Sequence, residues 1–162
     1  MKRTAKYSRG AIVREGCIQN PVGRNLDLAK VLLVDGELAA RLTLKTLLQA
    51  GGYFVDGAAS AAEAVSKLDD HEYDIVLSDL RTESPVASER VLSYARQKDY
   101  RPATALITSY LKGERSPDPP NADRQVVVHI EDVSNLLDRV AELVGLRASR
   151  RVHRTLRHSL AS

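Results

Sequence analysis

The sequence predicts an α/β fold, a doubly wound sheet of five parallel strands with helices on both faces. Three observations carry this reading. Continuous apolar runs, rich in β-branched residues, recur at 31–34, 75–77, 103–107 and 126–128, and such runs mark strands buried on both faces. Stretches of helical period separate them. Each run ends on a polar side chain, namely Asp35, Asp79, Thr108 with Ser109, and His129. In an open α/β sheet ligands sit outside the carboxyl ends of the strands, so these ends are the first place to look for chemistry.

At 162 residues the chain has room for one such domain with short extensions. Residues 1–29 show no sustained period and read as a flexible basic extension; 30–145 hold the periodic elements, and 146–162 form an Arg-rich tail. The net charge of +3 conceals a partition. Residues 1–30 carry seven Lys or Arg against two acids, residues 147–162 carry five Arg and no acid, and the middle carries twelve basic against nineteen acidic residues. Basic tails on an acidic domain suit either a polyanion or plain solvation. Cys17 is the single cysteine and no signal-like apolar segment occurs, so neither a disulfide framework nor export is expected. The expected location is a reducing cytoplasm. No apolar run approaches a bilayer-spanning length.

The first strand delivers Asp35, and Asp35-Gly36-Glu37 turns the chain into a helix over 38–50. There Ala40, Leu44, Leu47 and Leu48 recur at helical spacing and Gly51-Gly52 supplies the stop. Leu38 and Leu42 lie off that stripe. They are expected to widen the buried face, with a homodimer contact as the less favoured alternative. Tyr53-Phe54-Val55 reads as a second strand at a sheet edge. Ser60 and Glu63 form a capping box opening a short helix through Leu68. The third strand ends on Asp79, and a loop follows from 80 to 85. Ser84-Pro85 is an N-cap and first-turn pair for a helix to about Gln97. The fourth strand runs into Thr108. Pro117, Pro119 and Pro120 then predict that any helix before the fifth strand is broken, shortened or absent. Glu131-Asp132 caps the last helix, whose stripe Val133, Leu136, Leu137, Val140, Leu143 and Val144 is expected to stop at Gly145. Beyond it, Val152, Leu156 and Leu160 fall at four-residue steps among arginines. Such a tail is either a basic amphipathic helix or disordered.

The series of strand ends, with Gly52-Tyr53, Ala58 or Ala59, and Glu63-Ala64 between them, resembles the receiver domain of two-component response regulators over residues 30–144. The resemblance implies the flavodoxin-like strand order 2-1-3-4-5 with a degraded fourth helix. It also implies a site. Asp79 stands at the phosphoacceptor position, Asp35 at an acidic Mg²⁺ ligand position, Thr108 at the phosphoryl-contacting hydroxyl and His129 where the family has Lys. Arg81 falls where a backbone carbonyl meets the metal. Gly36 replaces the second acid of the usual pair, Thr82-Glu83 replaces a common Met-Pro, and Val126 stands where an aromatic switch residue is usual. Implied partners are a histidine kinase or phosphotransfer protein and an output protein.

Phosphoryl transfer to a carboxylate concentrates negative charge, so catalysis there is mostly positioning plus cations. Mg²⁺ prefers hard oxygen ligands and keeps several waters. Asp35, Asp79 and the Arg81 carbonyl form a thin ligand set that Glu37 would have to supplement, so weak or absent Mg²⁺ binding is expected. His129 donates a hydrogen bond but is only partly charged near neutral pH, unlike Lys. Any enzymatic activity is then at most Mg²⁺-dependent self-phosphorylation and dephosphorylation at Asp79. Other classes fit less well. No glycine-rich phosphate cradle follows the first strand, no nucleophile elbow occurs, and the residues after Gly145 are too few for a DNA-binding domain. Two alternatives stand beside the phosphorelay reading: a phosphorylation-independent interaction module, and nucleic-acid or membrane-surface binding through the Arg-rich tail.

Overall fold

The computed structural model describes residues 28–79, 83–109, 126–130 and 132–160. Among the described residues nine elements follow one another: β1 (Lys30–Val34), α1 (Leu38–Ala50), β2 (Phe54–Ala58), α2 (Ala61–Asp70), β3 (Ile75–Asp79), α3 (Pro85–Gln97), β4 (Ala103–Ser109), β5 (Val126–Ile130) and α4 (Val133–Leu160). The five strands form one sheet in the order β2-β1-β3-β4-β5, every pairing parallel. The expectations for the first 29 residues and for a degraded helix after Tyr110 fall almost wholly outside the described residues.

Alternating strand residues feed two cores. Val31, Leu33, Ile75, Leu77, Ala105 and Ile107 meet Leu44 and Leu48 of α1 and Leu136 and Val140 of α4. Leu32, Val34, Val76 and Leu106 meet Ala64 and Leu68 of α2 and Val91, Leu92 and Ala95 of α3. Both faces of β1 and β3 are therefore covered, which is why these strands are continuous apolar runs rather than alternating ones.

Local chemistry sets the helix ends. The Ser60 hydroxyl accepts from the Glu63 N–H at 3.2 Å, while the Glu63 carboxylate reaches back to the Ala59 N–H at 2.8 Å. Ser84 caps α3 through the Ala87 N–H at 3.1 Å, with Pro85 in the first turn. After α1, the Gly52 N–H meets the Gln49 carbonyl and the Tyr53 N–H meets the Leu48 carbonyl. This pair of bonds needs a left-handed residue between them, and Gly52, at φ 92°, supplies it.

Two expectations are overturned. Leu38 and Leu42 are exposed, at 59% and 54%. They lie on the side of α1 away from Leu44 and Leu48, because residues two and six positions apart are turned by about 200° and 240° around a helix of 3.6 residues per turn. Gly145 does not stop the last helix, which runs unbroken from Val133 to Leu160. A mid-helix glycine costs only about 1 kcal/mol, and Arg147, two residues on, is tied to the body of the domain. Its guanidinium pairs with Asp74 and also donates to the carbonyls of Tyr100 and Arg101 at 3.0 and 3.2 Å. The tail is thus helical to Leu160, with Val152 and Leu156 exposed.

Candidate functional site

The carboxyl edge of the sheet gathers the predicted residues by register. Val34 pairs with Ser78, so Asp35, one residue beyond Val34, stands level with Asp79 on the neighbouring strand. Asp79 pairs with Ile107, which puts Thr108 one residue further out on β4, and Thr108 pairs with His129 on β5. Asp35, Asp79, Thr108 and the His129 backbone consequently lie at one end of four adjacent strands. His129 is inside β5 rather than at its end. Arg81 lies outside the described residues.

Asp35 and Asp79 are 3% exposed and Thr108 is 6% exposed. The Asp35 backbone is held by its N–H to the Ala58 carbonyl at 3.0 Å, and Oδ1 accepts from the Glu37 N–H at 2.8 Å. Oδ2 is buried without a hydrogen-bond partner among the described residues. Burial raises the pKa of Asp35 from its ordinary value of 3.8; the hydrogen bond from Glu37 opposes this, and the negative charges of Asp79 and Glu37 add to the rise. An orphaned buried carboxylate oxygen beside a second carboxylate is a costly arrangement in an apoprotein, and a cation relieves it. The donors are hard oxygens, which fits Mg²⁺. The set is thin, because Gly36 brings no ligand, and among the described residues no three His, Cys, Asp or Glu side chains converge. Glu37 is the N-cap residue of α1, turning its N–H toward Asp35 while its side chain is exposed.

Three participants escape a reading by strand ends. Arg41, one turn into α1, donates to the Asp35 carbonyl, and its charge lowers the Asp35 pKa. Its stem crosses β2 at Gly57, where a Cβ would come within 3.2 Å of Arg41 Cδ. Ser88, on the buried face of α3, donates from Oγ to the Asp79 carbonyl at 2.7 Å. A hydroxyl occupying the apolar stripe Ser88, Val91, Leu92, Ala95 was the available signal for it. Glu83, at φ 54°, accepts from the Ala61 N–H at 3.2 Å and so ties the segment after β3 to the start of α2.

No protein-family model and no curated protein matches the chain. Solved structures do. The chain is similar to NtrX from Brucella abortus, with 18% identity, a TM-score of 0.66, and coverage of 83% of this chain and 30% of that one. It is similar to the chemotaxis protein CheY4 of Vibrio cholerae at 24% identity and a TM-score of 0.57, over 71% and 98% of the two chains. It is also similar to the receiver domain of the sensor histidine kinase PA1611 from Pseudomonas aeruginosa, which has magnesium coordinated in its active-site cleft. That match has 20% identity, a TM-score of 0.59 and coverage of 72% and 98%. The chain spans about 30% of the length of NtrX. The fold is the CheY-like receiver fold.

Proposed function

We propose that the chain is a response-regulator receiver in which Asp79 accepts a phosphoryl group from a histidine kinase or phosphotransfer protein and the chain signals by protein contact. The observation that carries this reading is the convergence of Asp79, the orphaned Oδ2 of Asp35 and Thr108 at the carboxyl edge of one parallel sheet. An Asp79 carboxylate oxygen attacks phosphorus as the bond to the donor imidazole nitrogen breaks, leaving an acyl phosphate and a neutral imidazole. Asp35 and Asp79 would hold Mg²⁺, which supplies positive charge to the phosphoryl oxygens. The chain's own part is positioning. Ser88 and the β3 hydrogen bonds fix the Asp79 backbone, Arg41 and the Glu37 N–H fix Asp35, and Thr108 offers a hydroxyl to the phosphoryl group.

The test is incubation with acetyl phosphate and Mg²⁺, read on a phosphate-affinity gel. The expected result is a retarded band that is absent from Asp79→Asn. An unshifted wild-type protein would refute phosphorylation and leave the second reading, a phosphorylation-independent interaction module. Gly36 in place of an acidic ligand is the observation that favours that alternative. No helix among the described residues is long and apolar enough to cross a membrane.

A further inference from the structure

At the opposite end of the sheet, α4 outruns the domain. Its 28 residues span about 42 Å, whereas a five-residue strand spans about 17 Å, so the second half of the helix must overhang. The core-facing stripe of Leu136, Val140 and Leu143 continues at the same three- and four-residue steps as Arg147, Arg150 and Arg154. Where the apolar floor ends, the inward face becomes cationic. It forms one wall of a cleft of about 540 Å³ beneath the starts of β4 and β5, and Arg96 and Arg101 line it too. Among the described residues five guanidinium groups and no carboxylate line this space.

Not all five are available in the same way. Arg147 is committed to Asp74 and two carbonyls. Arg96 is braced by the hydroxyls of Thr104 and Ser93 at 3.3 and 3.1 Å. Among the described residues no carboxylate pairs with Arg101, Arg150 or Arg154. Arg101, Arg150 and Arg154 therefore repel one another with no counter-charge of their own among the described residues. Beside them Val126 and Leu146, each 47% exposed, present an apolar wall continued by Leu143.

We propose that this cleft binds a nucleotide carrying two or more phosphates. Guanidinium forks match phosphate oxygens two at a time, and an apolar wall receives the nucleoside. The volume is that of a small-ligand site. Concavity selects this class over a bilayer or a duplex. The arginine row lines the cleft on the side of the overhang that continues the core-facing stripe, whereas a large flat polyanion would meet its outward side, where Val152 and Leu156 are exposed. The site is separate from Asp79 and does not depend on its phosphorylation.

The test is fluorescence anisotropy of methylanthraniloyl-ADP with the full chain at about 0.15 M salt, where purely diffuse attraction is screened. Saturable binding is expected. It should weaken about tenfold or more in Arg150→Glu/Arg154→Glu and in Arg96→Glu. Arg151→Glu, which makes the same charge reversal as Arg96→Glu but outside the cleft, should change it less than about twofold. Asp79→Asn should leave it intact, and circular dichroism melts verify that each variant folds. ADP should displace the probe better than pyrophosphate or adenosine. Absence of saturable binding, equal loss in Arg151→Glu, or pyrophosphate matching ADP would overturn the proposal. Tighter binding of duplex DNA or phosphatidylserine vesicles at the same arginines would do so as well.

Discussion

The substitution Asp35→Asn should stabilise the protein at neutral pH while destroying its affinity for Mg²⁺. The wild-type carboxylate keeps one satisfied oxygen, Oδ1 on the Glu37 N–H, and one buried orphan, Oδ2, with Asp79 repelling it. In the variant the side-chain carbonyl oxygen can retain the Glu37 bond, and the amide N–H₂ turns a donor toward the Asp79 charge. An unsatisfied buried polar atom costs about 1–3 kcal/mol, and for a chain of this size each kcal/mol moves Tm by about 2–4 °C. A gain of roughly 2–12 °C follows. The sign with pH is fixed by the raised pKa of Asp35. Below its unfolded value of 3.8 the group is neutral in both states and costs nothing. As pH rises through the folded value the native carboxyl ionises against burial and Asp79, so wild-type stability is lost and the advantage of Asp35→Asn grows. Scanning calorimetry from acid to neutral pH measures this. Mg²⁺ at ten times its Kd should return about 1.4 kcal/mol to the wild type and nothing to the variant. A variant that melts at or below the wild type near neutral pH would refute the reasoning, as would a gain that does not shrink in acid.

Gly36→Asp should tighten Mg²⁺ binding by restoring a hard ligand beside Asp35, and equal affinities in a Mg²⁺ titration would show that position 36 is not the missing ligand. Arg147→Ala should cost about 2–4 kcal/mol in urea unfolding, because it leaves the Asp74 carboxylate and two carbonyls without their shared donor. A loss below about 0.5 kcal/mol would place the anchoring of the long helix elsewhere. Ser88→Ala should destabilise by about 1–2 kcal/mol and slow phosphorylation from acetyl phosphate, through the Asp79 carbonyl it releases. Full-rate phosphorylation in that variant would remove Ser88 from the site. Beryllofluoride should change hydrogen exchange only locally around Thr108, since Val126 stands where a switching aromatic is usual; altered protection along 133–144 would contradict this.

The strands, most helix ends and the edge at which the polar residues gather were legible in the amino-acid sequence. Those features are local or periodic. Burial on both faces writes a continuous apolar run into each inner strand, Ser60 and Ser84 cap the helices that begin one residue later, and Gly52 is needed where the backbone turns left-handed. The register then carries Asp35, Asp79 and Thr108 together because parallel strands of similar length end at one side. Other features depend on contacts between distant segments. Leu38 and Leu42 are apolar yet exposed, since the face of α1 is chosen by the sheet it meets and not by the count of leucines along it. Arg41 on the Asp35 carbonyl joins elements whose sequence gives no sign of the pairing, and the hydroxyl of Ser88 in an apolar stripe marks a buried polar group without naming the Asp79 carbonyl as its partner. Gly145 looks like a stop, and the helix passes through it because Arg147 finds Asp74, Tyr100 and Arg101, partners 46 to 73 residues away. A contact at that separation leaves no period or cap in the chain, so only the folded arrangement could turn an arginine-rich tail into the wall of a cleft.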